Sequence, residues 1–369
     1  MSTAELEIQA IAVVVSVACA LPGCFLVLRR LALVSDAISH SILLGIVLAF
    51  FAVGSITSPF LLVAAALTGV ATVFLVELLR NTGLVREDAA IGLVFPALFS
   101  IGVILIARYA DDVHLDTDAV LLGELAFAPF ERLVLLGFDL GPKALVLMSV
   151  VLALNVLAIA VFYKELKLAT FDAGLAVALG FSPVVVHYGL MSLVSVTAVG
   201  AFDAVGSILV VALMIAPPAT AYLLTDRLPR MLGLSAVAAT VAALSGYWLA
   251  RFLDASIAGS MATMTGVLFV LAWGFAPERG LVAVARRRAR QRLEFAQTML
   301  AIHLANHEGL PEADVESRVS HLGEHLRWEP RFAERIVRGA ERRGLVEEQA
   351  GSLLLTERGR ALAADAVAR

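Results

Sequence analysis

The chain has 369 residues, of which 60% are hydrophobic and only 16% are charged, and its mean hydropathy is +0.89. Soluble domains average about 45–50% apolar and about 25% charged residues, so this composition excludes a water-soluble globular protein for most of the chain. The only cysteines, Cys19 and Cys24, exclude a disulfide framework, and their spacing fits neither a zinc motif nor a redox motif. The first residues include Glu5 and Glu7 and no basic segment, so we expect the first apolar stretch to remain as a membrane span.

Charge is unevenly distributed along the chain. The segment from Arg286 onward contains 15 arginines and no lysine against 13 acidic residues, whereas the net charge of the whole chain is −4. A composition break of this kind predicts a domain boundary. We therefore expect a transmembrane domain over residues 1–280 and a cytoplasmic domain over residues 287–369.

Nine stretches are long and apolar enough to cross a bilayer, which requires about 20 residues. They are 8–28, 36–54, 59–79, 89–107, 143–163, 184–201, 205–224, 231–252 and 257–276. Lysines and arginines follow spans one, three, five and seven, whereas the loops after spans two and six contain none. The positive-inside rule then predicts that the N-terminus is outside and the C-terminus is in the cytoplasm. The expected fold class is an all-α polytopic membrane protein with about nine transmembrane helices.

The start of the second span carries the main candidate for a functional site. The segment LRRLALVSDAISH, residues 28–40, places Asp36 and His40 one helical turn apart. An aspartate at the centre of a membrane helix costs about 2.5–3.5 kcal/mol on insertion scales, which makes such residues functional candidates. The spacing puts both side chains on one helix face, where they could hold a divalent cation with mixed oxygen and nitrogen ligands. The other interpretation is that Asp36 caps the N-terminus of the second helix.

The predicted external loop between residues 108 and 142 is the longest break in the membrane domain. It contains DDVHLDTD, with acidic residues and a histidine at Asp111, Asp112, His114, Asp116 and Asp118. These residues either attract cations to the outer surface or form a solvated loop. The following apolar stretch, 119–130, is too short to span the membrane.

Two later segments bear on transport. Pro217 and Pro218 fall inside the seventh span and predict a break in its backbone hydrogen bonds. The loop KELKLATFDAGLAVALGFSP, after the fifth span, predicts an amphipathic helix on the cytoplasmic face, of the kind that a motor subunit could push. The sequence has no phosphate-binding loop, so ATP-driven transport would require a separate ATPase.

Five segments, in order, resemble the ABC-type manganese/zinc/iron permease family over about residues 8–280. They are LPGCFLVLRRLALVSDAISHSILLGIVLAF, IGLVFPALFSIGVIL, TFDAGLAVALGFSP, AVGSILVVALMIAPPATAYL and LDASIAGSMATMTGVLFVLAW. The resemblance implies a non-enzymatic permease subunit in the bacterial inner (cytoplasmic) membrane, which dimerises with itself or with a related permease. It also implies a cytoplasmic ATPase partner, an extracytoplasmic metal-binding lipoprotein and no tightly bound cofactor apart from the transported Mn²⁺, Fe²⁺ or Zn²⁺.

The resemblance also assigns residues. The aspartate and histidine of the family's translocation path fall on Asp36 and His40, and its ATPase-contacting loop falls around Asp172 and Gly180. Zinc-transporting members often carry a histidine in the fourth span, where this chain has Phe95 and Pro96. On this basis we expect manganese before iron or zinc.

The C-terminal segment predicts a winged helix. Helices, a short hairpin through Gly351 and a final helix follow each other in a pattern similar to the DNA-binding domain of the iron-dependent repressor family. The helix RFAERIVRGAERR has arginines that could face DNA: Arg331, Arg335, Arg338, Arg342 and Arg343. A protein-interaction or regulatory role is nevertheless the preferred interpretation of this segment. Two histidine pairs at i, i+4 could sense cytoplasmic metal or could lie on solvated helix faces: His303 with His307, and His321 with His325.

Two functions therefore follow from the sequence. The first is the permease subunit of an ATP-driven importer of divalent transition metal ions. The alternative is a membrane-anchored, metal-responsive DNA-binding regulator. The first requires a neighbouring ATPase and the second requires a target operator.

Overall fold

The computed structural model describes residues 2–54, 58, 60–109, 125–135, 138–311, 313–318, 321–322, 326–349 and 351–368. The predicted acidic loop residues 111–118 and the predicted metal-sensing residue His325 lie outside this described part. The chain divides into two compact units, Met1–Gly280 and Leu281–Arg369, named here the membrane unit and the C-terminal unit. The division falls at the composition break in the sequence.

The membrane unit consists of helices joined mostly by short connections. Its helices are α1 (Thr3–Leu28), α2 (Ala32–Val53), α3 (Phe60–Asn81), α4 (Glu87–Tyr109), α5 (Lys143–Val161), α6 (Tyr163–Phe171), α7 (Ala173–Ala178), α8 (Pro183–Leu224), α9 (Leu228–Leu253) and α10 (Ile257–Phe275). In the described part of the chain eight helices, all of these except α6 and α7, are long and apolar enough to cross a membrane. The predicted mostly helical, polytopic fold is confirmed.

Helix α8 contains two of the nine predicted spans. Its 42 residues would extend about 63 Å, about twice the thickness of the hydrocarbon core. At Gly206 the backbone leaves helical geometry, with φ 78° and ψ 165°, a conformation that glycine adopts without steric cost. His187 and Pro218, near the two ends of α8, both approach the C-terminal part of α1. Asp203, near its middle, pairs instead with Lys143 at the start of α5. The two halves therefore run in opposite directions.

Pro217 and Pro218 remove two backbone hydrogen bonds, as predicted, but do not interrupt the helix. Both prolines are buried inside the helical second half of α8, whose non-helical residue is Gly206. Proline lacks an N–H group but its fixed φ is compatible with helical geometry, and membrane helices tolerate the freed carbonyl where they are packed against protein. Pro218 lies beside Gly23 of α1, where any side chain would collide with the Met214 carbonyl. Pro218 therefore lies at a close contact between α8 and α1.

Polar contacts define two ends of the membrane unit. At the Glu5 end, the carboxylate of Glu5 lies 2.5 Å from Arg251. At the Arg29 end, Arg29 contacts Thr170 and His187. With the two halves of α8 counted separately, the described helices cross nine times between these ends, and the unit finishes at the Arg29 end, where Arg279 pairs with Asp226.

A short β-hairpin at the Glu5 end was not predicted from the sequence. It follows the 3₁₀ turn Ala128–Phe130 and pairs β1 (Arg132–Leu135) with β2 (Phe138–Pro142) in antiparallel register. The Arg132 guanidinium lies 2.5 Å from the Asp139 carboxylate, which also accepts the Gly141 N–H. Both hydrogen bonds favour the ionised carboxylate and so lower the pKa of Asp139.

The C-terminal unit has its own hydrophobic core. It contains α11 (Leu281–His307), α12 (Ala313–Glu316), α13 (Pro330–Arg342), β3 (Val346–Gln349), β4 (Ser352–Leu355) and α14 (Glu357–Ala368). The buried side chains of Leu300, Ile336 and Leu353 belong to one apolar cluster. Strands β3 and β4 form the predicted hairpin, with Gly351 at φ 86° in the turn.

Candidate metal path and coupling segment

The start of α2 excludes the capping interpretation of Asp36. Helix α2 begins at Ala32 after Leu31, which provides no side-chain cap. The α1–α2 connection is tight, because the Leu31 N–H already bonds the Leu26 carbonyl. Asp36 consequently lies about one turn inside the helix, where the backbone N–H groups are used by the helix itself. The N-cap interpretation is wrong, and the ligand interpretation stays a prediction.

Asp36 and His40 lie together on one face of α2. The Oδ1 atom of Asp36 is 3.4 Å from Nε2 of His40, and the side chains are 40% and 30% exposed. The His40 ring stacks on Phe95, with centroids 5.8 Å apart, and meets the edge of Phe99 at 6.0 Å. The aromatic rings of α4 therefore hold the imidazole beside the carboxylate.

The pair offers one carboxylate and one imidazole to an ion. Among the residues that the structure describes, no group of three or more His, Cys, Asp or Glu side chains could hold a metal. Zinc sites in proteins usually have three or four protein ligands, and manganese takes more. A metal bound here would need further ligands from water, from backbone or from another chain.

The predicted coupling residues Asp172 and Gly180 lie in a helix–turn element at the Arg29 end. We name residues 163–180, which comprise α6, α7 and the turn that follows them, the coupling segment. The Asp172 carboxylate caps α7 by accepting the Leu175 N–H at 2.8 Å, and Gly180 ends the element with φ 85°. The apolar side chains of Leu175, Val177 and Leu179 are 46%, 61% and 57% exposed. This segment thus presents an apolar surface from a rigid, capped turn.

A second carboxylate–imidazole pair lies at the same end and was missed. Oε1 of Glu77 is 2.9 Å from Nε2 of His187, and the Tyr188 hydroxyl donates to Oε2 at 2.5 Å. Arg80 also lies near Glu77, at 3.7 Å, which is longer than either of these contacts. Arg29 completes the cluster, with Nη1 3.4 Å from Nδ1 of His187. Its members come from α1, α3 and α8, and no local sequence pattern links them.

In the C-terminal unit, only one of the two predicted histidine pairs is described completely. The rings of His303 and His307 have centroids 4.6 Å apart. Nε2 of His303 lies 3.3 Å from the Glu316 carbonyl and 3.8 Å from its carboxylate, while Nδ1 of His307 lies 2.8 Å from the His303 carbonyl. His321 is partly buried. A metal-sensing role for these histidines stays a prediction.

The predicted arginine face of α13 is partly used within the unit. Arg338 pairs with Glu334 at 3.5 Å, and Arg343 donates to the Gln297 side chain at 2.7 Å. Arg331, Arg335 and Arg342 are exposed.

A nine-crossing helical unit with a partly exposed carboxylate–imidazole pair inside it defines a multi-pass membrane protein. A profile of the ABC 3 transport family matches residues 6–276. The chain belongs to this family. It is therefore a transporter membrane subunit and not an enzyme.

Two relatives illustrate how far the similarity extends. The zinc transport system membrane protein TroD of Treponema pallidum (strain Nichols) is 52% identical over 358 residues, which cover 97% of each chain. The manganese transport system membrane protein MntD of Bacillus subtilis (strain 168) is 48% identical over 292 residues, which cover 79% of this chain and 99% of MntD. The TroD match therefore includes the C-terminal unit. MntD aligns over almost its whole length, but with only 79% of this chain.

A solved structure agrees with the fold of the membrane unit. A chain of PsaBC from Streptococcus pneumoniae, determined in complex with a Fab, aligns with a TM-score of 0.64 and 28% identity. The alignment covers 76% of this chain and 94% of that chain.

Proposed function

We propose that this chain is the permease subunit of an ATP-driven importer of divalent transition metal ions, with manganese first and iron or zinc next. The observation that carries the proposal is the Asp36–His40 pair, which places a carboxylate and an imidazole 3.4 Å apart inside a membrane helix. Zinc and manganese occur in the names of the two relatives described above. The family resemblance implies a bacterial inner-membrane location, and the positive-inside rule predicts that the Glu5 end is outside and the Arg29 end is in the cytoplasm.

The preference for manganese rests on the ligand chemistry. Carboxylate and water oxygens suit Mn²⁺, whereas additional imidazoles would shift a site towards zinc. Two rings on α4, Phe95 and Phe99, lie against His40, and neither has a ligand atom. Oxygen ligands would therefore fill most of the coordination positions of an ion bound to Asp36 and His40.

The exposure of the pair supports a second permease subunit. Asp36 is 40% exposed in this single chain, and a carboxylate that faced hydrocarbon would be costly. A second copy or a related permease packed against this face would enclose the pair in a polar path. The partner is either a homodimer mate or a heterodimer mate.

The coupling segment supports an ATPase partner. Leu175, Val177 and Leu179 expose apolar surface at the predicted cytoplasmic end, and apolar patches of this kind mark protein contacts. The sequence contains no phosphate-binding loop, so a separate chain must hydrolyse ATP. An extracytoplasmic metal-binding lipoprotein would deliver the ion to the Glu5 end.

The test is uptake of radiolabelled Mn²⁺ in a strain without other manganese importers. The chain is expressed with its ATPase and lipoprotein, and unlabelled Zn²⁺ and Fe²⁺ compete. Wild type should take up Mn²⁺, and both Asp36→Ala and His40→Ala should abolish uptake at equal expression. Asp203→Ala is the matched control, because this carboxylate is also in the membrane unit but pairs with Lys143. Undiminished uptake in both site variants would exclude the pair as ligands.

For the C-terminal unit we propose a winged-helix arrangement with a regulatory role. The helix, hairpin and helix order of α13, β3, β4 and α14 supports this proposal, as does the bridge from Arg318 to Ser352 beside the hairpin. If the unit inhibits transport at high cytoplasmic metal, removal of residues 281–369 should leave initial uptake unchanged and prevent its decline after loading with Mn²⁺. A truncated chain whose uptake declines like wild type would contradict the regulatory role.

A further inference from the structure

The cluster around Arg29 joins the coupling segment to the helix that carries Asp36 and His40. We propose that Arg29 is a positioning residue that transmits the displacement of the coupling segment to α2 during the transport cycle. This inference rests on the proposed function, because it requires an ATPase that acts on the coupling segment.

The first step runs from the coupling segment to Arg29. Thr170 lies in the last turn of α6, immediately before Phe171 and the capping residue Asp172. Nε of Arg29 donates to the Thr170 hydroxyl at 3.1 Å across 141 residues of sequence. A displacement of α6 and α7 therefore acts directly on the Arg29 guanidinium.

The second step runs from Arg29 to α2 along the chain. The Arg29 N–H bonds the Phe25 carbonyl and the Leu31 N–H bonds the Leu26 carbonyl, so the α1–α2 connection has no slack. Helix α2 begins at Ala32, and Asp36 follows about 6 Å further along the helix. A shift of Arg29 must therefore be carried into the turn that holds Asp36.

The third step reaches His40 through α3. Arg29 contacts His187, which is 2.9 Å from the Glu77 carboxylate on α3. Further along α3, the Thr72 hydroxyl lies 2.7 Å from the hydroxyl of Ser41, the residue next to His40, and both are fully buried. The cluster is thus linked to α2 by two routes, one along the chain towards Asp36 and one through Thr72 of α3 to Ser41, beside His40.

The chemistry of arginine suits this role. A planar guanidinium can donate to Thr170 and reach His187 at the same time, whereas a lysine ammonium is a single flexible point charge. The Glu77 and His187 side chains are only 18% and 17% exposed, so their contacts are little screened by water. Packed elements with such contacts move between discrete arrangements rather than deform continuously.

The experiment measures metal transport and ATP hydrolysis by the complete transporter in liposomes. The variants are Arg29→Lys, Thr170→Val and both together, and Arg30→Lys is the matched control because this neighbouring arginine is exposed. Arg29→Lys should lower the number of Mn²⁺ ions transported per ATP by about tenfold while ATP hydrolysis stays within about twofold of wild type. Thr170→Val should lower the ratio less, the double variant should equal Arg29→Lys, and Arg30→Lys should match wild type.

The outcomes separate the possible failures. If Arg29→Lys leaves the number of Mn²⁺ ions transported per ATP at the wild-type value, Arg29 has no transmitting role. A parallel fall in transport and ATP hydrolysis is one way to reach that result. If wild type transports none of Mn²⁺, Zn²⁺ and Fe²⁺, the proposed function itself is contradicted, and the coupling role fails with it. If wild type transports and the Arg29→Lys variant transports as many ions per ATP as wild type, the proposed function stands and the further inference is overturned.

Discussion

The membrane unit contains two carboxylate–imidazole pairs that are alike in composition and different in environment. Asp36 and His40 are 3.4 Å apart and partly exposed, and no other charged side chain in the described part of the chain pairs with them. Glu77 and His187 are 2.9 Å apart, are mostly buried and have Tyr188 and Arg29 as further partners. The two pairs therefore differ in the number of their further contacts rather than in residue type, and we call them the open pair and the filled cluster.

The largest effect should come from the open pair. We expect Asp36→Asn and His40→Gln each to lower Mn²⁺ uptake by more than about 100-fold, because even residues that only orient a metal ligand are worth 10–100-fold. If the two residues bind one ion, the double variant should be no worse than either single variant. Uptake assays on the four chains measure this, and strictly multiplicative losses would mean that the residues act separately.

A third ligand beside the open pair should change its selectivity. Phe95→His would place an imidazole against His40, whose ring centroid is 5.8 Å from that of Phe95. Since imidazole ligands favour zinc over manganese, we expect Zn²⁺ to compete with Mn²⁺ uptake about tenfold more strongly. Phe99→His is the comparison variant, because that ring meets His40 edge-on at 6.0 Å. An unchanged competition profile in Phe95→His would mean that this position does not face the ion.

The filled cluster should respond in stability rather than in metal binding. Glu77→Gln removes the charge that His187, Tyr188 and Arg80 share, and a buried network that loses one partner is destabilised. We expect the Tm of the purified protein to fall by about 5 °C, with an unchanged KM for Mn²⁺ uptake. A raised KM with an unchanged Tm would place Glu77 on the metal path instead.

An exposed ion pair in the C-terminal unit gives the smallest expected effect. Arg360 lies 2.6 Å from Glu308 and lowers the pKa of that carboxyl below its usual 4.5. The pair therefore stabilises the folded unit above about pH 4.5, and the contribution disappears as the pH falls through the lowered pKa. Because both side chains are about half exposed, Glu308→Gln should change the Tm at pH 7 by less than about 2 °C, measured by calorimetry. A larger fall in Tm would show that the Arg360–Glu308 pair is shielded from solvent in the folded protein.

Hydropathy was enough to locate all nine crossings, because each needs a long apolar run and little else. The candidate site at Asp36 could also be predicted, since a carboxylate in such a run is conspicuous in the sequence. The filled cluster was not visible, because Glu77 and His187 are 110 residues apart and meet only after α3 and α8 pack. The reversal in α8 falls beside the predicted boundary between spans six and seven, at residues 201–205. Nothing in the sequence marked Gly206, one of several glycines in these apolar runs, as the residue that supplies the positive φ of the turn.

Gly206 also decides on which side of the membrane the chain emerges. The backbone reverses there without an intervening loop, so the φ and ψ angles of one residue separate two successive crossings. If residue 206 became helical, α8 would have to cross once or leave apolar surface in water, and the crossings by α9 and α10 would both be inverted. The last residues of the membrane unit, at Gly280, would then reach the opposite compartment. The sidedness of everything beyond Gly280 therefore depends on a residue that has no side chain.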